Sequence, residues 1–133
     1  MRATLTARMQ LVASQLQIEG TIRGLLKVYG LKIGAIHRNR FAARVLELLE
    51  MAALPDLSAA IEPLLRVREG MRTERKALDR TLAAAARRSD VGRRLMTIPG
   101  VGPVTALAYI ATIDDPGRFG TSKALAKSAL HYH

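Results

Sequence analysis

Apolar residues recur in a three-four rhythm at Leu57, Ile61, Leu64, Met71, Leu78, Leu82 and Ala85, through the longest unbroken segment of this chain. That spacing places one narrow apolar seam along a helix, and such a seam is buried only against another helix. It predicts an all-α fold whose long helices form a helical hairpin or a coiled coil. Arg68 and Arg75 fall on the same seam, so each must snorkel or pair across an interface. Pro63 would kink a helix that contained it, which puts the start of the regular part near Leu64.

Residues 4–29 read as a second amphipathic helix, with Leu5, Met9, Val12, Leu16, Ile22, Leu26 and Tyr29 on one side and Glu19 at a seam position. Gly20 and Gly24 weaken its second half by about 1 kcal/mol each relative to Ala, and Gly30 is a natural stop. Residues 41–53 read as a shorter helix with Val45, Leu46, Leu48 and Leu49 on its apolar side. Pro55 ends it, and Asp56 or Ser58 is placed to cap the next helix. The seam of residues 64–86 is too narrow to bury itself. It is expected to pair with residues 4–29 or with a second chain, which makes a homo-oligomer the expected state.

Charge narrows the partner. The 133 residues hold 21 Lys and Arg against 11 Asp and Glu, a net charge of +10. So large an excess points to a polyanion, and nucleic acid is the commonest one. At 49% hydrophobic residues the chain is no disordered basic tail. Ten basic and four acidic residues fall between Arg66 and Arg94, so that stretch alone carries +6. Cysteine is absent, which excludes disulfides, thiolate metal sites and cysteine nucleophiles. His37, His131 and His133 make no ligand set with a nearby carboxylate, so no metal or cofactor is expected. The N-terminus lacks the apolar core of a signal peptide, and residues 104–113 are too short an apolar run to span a bilayer. A cytoplasmic, nucleoid-associated helical protein is the expectation.

The most informative stretch is IPGVGPVTA at residues 98–106, lying between predicted helices at 91–97 and 103–113. Pro103 suits a first helical turn, and Gly100 and Gly102 allow the positive φ and close approach of a tight turn. Ile98 and Val101 would plug the gap between the helices, and small Ala106 would let them cross closely. This is the pattern of a helix-hairpin-helix. Its turn amides and the free amides of the second helix form an anion nest that grips a phosphate backbone without reading bases. The candidate DNA-binding residues are Gly100, Val101, Gly102 and Thr105, with Arg93, Arg94 and Lys123 supplying charge. Many DNA-binding hairpins carry a basic residue where this chain has Val104.

Nothing else suggests catalysis. Asp114 and Asp115 are adjacent and point apart on a helix, Glu47 and Glu50 read as a solvated face, and Ser122 reads as a helix cap.

Three ordered blocks resemble the bridge-RNA-guided insertion-sequence transposases, the group named for elements one-ten, one-sixteen and nine-oh-two. They are LTARMQLVASQLQIEGTIRGLLKVYGLKIG, IEPLLRVREGMRTERKALDR and RRLMTIPGVGPVTALAYIATIDDPGRF. The resemblance runs to about Ser122. It implies that residues 1–86 are a helical, coiled-coil linker region and residues 87–133 an incomplete C-terminal domain opening with the hairpin. It also implies DNA, and a guide RNA, as partners. The metal-binding acids and the catalytic serine of such transposases have no counterpart in this sequence, so a truncated DNA-binding piece without its own strand-cutting activity is expected. The alternative is a structural oligomerisation module that binds nucleic acid nonspecifically.

Overall fold

The computed structural model describes residues 1–114. Five α-helices follow one another: α1 (Arg2–Val28), α2 (Phe41–Ala52), α3 (Pro55–Arg88), α4 (Asp90–Leu95) and α5 (Pro103–Asp114), with a 3-10 turn at Arg38–Arg40 ahead of α2. No strand occurs among the described residues. The described chain divides into two compact units, one of Ala13–Arg72 and one of Met1–Val12 together with the described residues from Thr73 onward.

The spacing that predicts α1 and α3 is present, but both seams are more polar than apolar spacing suggests. The buried positions of α1 are Leu5, Arg8, Val12, Gln15, Glu19, Ile22 and Leu26, an unbroken three-four alternation. Arg8 and Gln15 hold the positions that apolarity alone would give to Met9 and Leu16; Leu16 is exposed. On α3 the buried side is Leu57, Ile61, Leu65, Arg68, Arg72, Leu82 and Ala86. Helix α3 also starts earlier than expected and passes through Pro63 without interruption. Pro63 deprives the Ala59 carbonyl of its helical donor, and both residues are on the exposed side, where water can take that bond.

In the unit of Ala13–Arg72, Ile22 and Leu26 of α1 pack with Leu57, Ile61 and Leu65 of α3 and with Phe41, Val45, Leu48 and Leu49 of α2. Leu46 lies outside this core and is half exposed. Helix α1 ends in a Schellman motif. The Leu31 amide donates to the Leu26 carbonyl at 3.0 Å and the Gly30 amide to the Lys27 carbonyl at 2.9 Å, with Gly30 at φ 74°. Helix α2 ends at Ala53, whose φ of 50° is the left-handed conformation and whose amide donates to the Leu49 carbonyl.

Much of the polar seam is paired locally, while Gln15 Oε1, Arg68 Nη1 and Arg72 Nε are buried with no hydrogen-bond partner among the described residues. Arg68, fully buried, donates from Nε to Glu19 Oε2 at 2.7 Å and from Nη2 to the Arg38 carbonyl at 3.2 Å. Gln15 Nε2 donates to the same Glu19 oxygen at 3.2 Å, and Arg72 Nη2 donates to Asn39 Oδ1 at 3.1 Å. In the other unit, Arg8 Nε pairs with Asp79 Oδ1 at 2.5 Å, and Arg75 pairs with the second oxygen of Asp79 at 3.3 Å. There Leu5 packs with Leu82 and Ala86 of α3 and with Val104, Leu107 and Ala111 of α5.

Candidate nucleic-acid interface

The segment from Ser89 to Ala106 is built by ordinary capping chemistry. Ser89 is the N-cap of α4, and its Oγ accepts from the Gly92 amide at 3.1 Å. Gly92 is buried, and a Cβ there would lie 2.6 Å from the Ala86 carbonyl oxygen. Only glycine lets α4 come this close to the end of α3. The chain then reverses through Ile98–Val101, where the Val101 amide donates to the Ile98 carbonyl at 3.1 Å. Pro99 and Gly100 are the two central residues, and Gly100 takes φ 84°, the requirement of a type II turn. Gly102 is absent from the positive-φ residues. Its contribution is a different one: its carbonyl accepts from the Ala106 amide at 3.0 Å and so closes the first turn of α5. With Pro103 at the first helical position, the amides of Gly102 and Val104 have no acceptor inside the helix.

Charge around this turn is uneven. Arg93 is committed locally, with Nη2 paired to Asp90 and Nη1 donating to the Arg87 carbonyl at 2.7 Å. Arg94 is exposed, its carbonyl accepts from Thr97 Oγ1 at 2.6 Å, and its guanidinium has no partner among the described residues. Arg87 and Arg88 add two more exposed cations at the end of α3. Arg94, Gly100, Val101 and Gly102 lie close along the chain, within residues 94–102, and Thr105 is in the first turn of α5. Lys123 and Asp115 lie outside the described residues.

One expectation about the packing of the turn is corrected. Ile98 does not fill a gap between helices, being 50% exposed, because the turn that contains it projects away from the core. Val104, standing where a basic residue is common in such hairpins, is buried beside Leu107 and Leu82. Among the described residues no three His, Asp or Glu side chains gather as metal ligands. No described helix is long and apolar enough to cross a membrane.

Residues 92–129, from the close-approach glycine onward, match the family described as Transposase IS116/IS110/IS902. The chain is also similar to the transposase for insertion sequence element IS1111A of Coxiella burnetii (strain RSA 493 / Nine Mile phase I), being 31% identical over 132 residues. That alignment covers 94% of this chain and 35% of the relative, so the chain spans about a third of the length of the curated protein it matches. No solved structure matches the chain.

Proposed function

From the premise that this chain is related to the IS116/IS110/IS902 transposases, we propose that it is a DNA-binding segment of a protein of that kind. Residues 1–86 serve as the helical linker region and residues 87–133 open the C-terminal domain with a helix-hairpin-helix. The hairpin holds duplex DNA by its phosphate backbone. The observation that carries this reading is the turn itself. Gly100 at φ 84° turns the chain into α5, where the Gly102 and Val104 amides have no acceptor inside the helix, a few residues along the chain from Arg94, whose exposed guanidinium has no partner among the described residues.

Backbone contacts of this sort recognise a phosphate by charge and hydrogen bonding, so affinity is nearly independent of sequence and falls steeply with salt. In this reading strand cleavage belongs to acids and a serine supplied from elsewhere, and the segment positions DNA for it.

The test is duplex binding by fluorescence anisotropy with two variants at one position. Gly100→Val resists positive φ and should weaken binding, whereas Gly100→Asn tolerates it and should retain binding. A Cβ at Gly100 meets nothing among the described residues within 4 Å, so the two variants differ chiefly in their tolerance of positive φ. Equal binding by both, with unchanged circular dichroism, would leave the hairpin a connector only. Cleavage of the duplex by this chain with magnesium would refute the division of labour.

A further inference from the structure

Residues 20–46 contain no acidic side chain, yet hold Arg23, Lys27, Lys32, Arg38, Arg40 and Arg44. This part of the chain folds within the unit of Ala13–Arg72 and surrounds a cleft of about 350 Å³. Its lining residues are Glu19, Arg23, Ile36, His37, Arg38 and Phe41. A second groove of about 290 Å³ shares Arg23 with it and adds Lys27 and Lys32.

The donors at the cleft are held in place before any ligand arrives. Arg23 donates from Nη1 to the Gly34 carbonyl at 3.2 Å and lies over the Phe41 ring at 5.5 Å. His37 Nδ1 accepts from the Asn39 amide at 3.2 Å, so the proton of the neutral ring sits on Nε2 as a donor. Glu19 is the one carboxylate in the wall, and its charge is met from behind by the buried Arg68 at 2.7 Å. Arg38 stands 4.0 Å from its other oxygen. Two arginines and an imidazole N–H therefore face a cavity whose single anion is already neutralised. That arrangement suits a phosphate group.

We propose that this cleft is a second nucleic-acid site, one that takes a phosphate of a single strand. Concavity favours a single strand over a duplex: a flexible strand can feed one nucleotide into a cleft of this size, and the convex rod of a duplex cannot. The proposal rests on the reading of the chain as nucleic-acid binding, but uses residues far in sequence from the hairpin.

The experiment compares labelled oligothymidylate with a labelled duplex over a salt series, using the whole chain and three variants. Arg23→Gln with Arg38→Gln should flatten the salt slope for oligothymidylate by about 1.4 units, two contacts at about 0.7 each, and leave the duplex slope unchanged. Arg38→Gln alone, which leaves Arg23 on Phe41, should flatten it by about half as much. Gly100→Val should weaken the duplex and spare the single strand. An unchanged oligothymidylate slope in both arginine variants, with the Gly100→Val effect intact, would overturn the cleft and leave the hairpin standing. Parallel loss of both probes in every variant would overturn the separation of the two sites.

Discussion

Arg68 and Glu19 form an ion pair at 2.7 Å with the guanidinium side chain fully buried and the carboxylate nearly so. The pair joins α3 to α1 in the middle of seams that are otherwise apolar at their ends, and Arg68 also lies over the Phe41 ring at 4.6 Å. Helices whose seams meet only through leucines tolerate slippage along one another, whereas a buried pair of this kind admits one alignment.

Breaking the pair is therefore expected to cost more than deleting it. Glu19→Leu strands a buried guanidinium and should destabilise the chain by about 3–5 kcal/mol in urea unfolding. The double variant Glu19→Leu with Arg68→Met should recover most of that loss. A double variant no more stable than Glu19→Leu would mean that the charges themselves hold the fold.

Glycine substitutions should split by position. Gly92→Ala puts a Cβ 2.6 Å from the Ala86 carbonyl oxygen, a backbone atom that cannot swing away. It should lose about 1–3 kcal/mol. Gly70, inside α3 with no neighbour within 4 Å, should gain about 1 kcal/mol as alanine. Ala53 carries the opposite mismatch at φ 50°, and Ala53→Gly should stabilise by about 1 kcal/mol. Thermal denaturation followed by circular dichroism reads all three.

The helices are legible in the sequence because Leu5, Val12, Ile22, Leu26, Ile61 and Leu82 keep helical spacing. Arg8 and Gln15 are not, because apolarity stands in for burial, and Met9 and Leu16 sit next to them with the more apolar side chains. What buries Arg8 is Asp79, 71 positions away, and no local pattern announces such a partner. Pro63 misleads for a related reason: its cost falls on one exposed carbonyl, less than the packing of a 34-residue helix can absorb. Around the turn, Pro99, Gly100 and Pro103 are readable from their own backbone chemistry. The depth of Val104 and the exposure of Ile98 depend on where α5 sits against α3. The acid-free run from 20 to 46 is visible in the sequence. Its meaning depends on a fold that bends it around one cleft.

Val104 yields a prediction against the pattern of basic hairpins. Val104→Lys adds a cation at the usual phosphate-contacting position, but the side chain there is 6% exposed. An unpaired charge forced among Leu82, Leu107 and Ala111 should lower stability by roughly 3 kcal/mol. No gain in duplex affinity is expected once binding is corrected for the folded fraction. A stable Val104→Lys variant that binds more tightly would show that α5 can turn this position outward.

The two arginines before the turn are adjacent in sequence and should contribute unequally to duplex binding. Arg93 is held by Asp90 and the Arg87 carbonyl, so it reaches a phosphate only by giving up both. Arg94 has an exposed side chain with no such commitment among the described residues. Removing one cation from a phosphate should reduce the salt slope by about 0.9 unit on duplex DNA. Arg94→Gln should show close to that full reduction, and Arg93→Gln a clearly smaller one. Asp90→Asn separates charge release from structure, because it removes the carboxylate that holds Arg93 and leaves Ser89 to cap α4. In that variant only the Arg87 carbonyl still holds Arg93, so the duplex slope should steepen by less than the full value of about 0.9 unit, and a further Arg93→Gln change should then remove the gain. Anisotropy titrations at several salt concentrations measure each slope. Equal reductions from Arg93→Gln and Arg94→Gln in the parent chain would contradict the local pairing as the cause of the asymmetry.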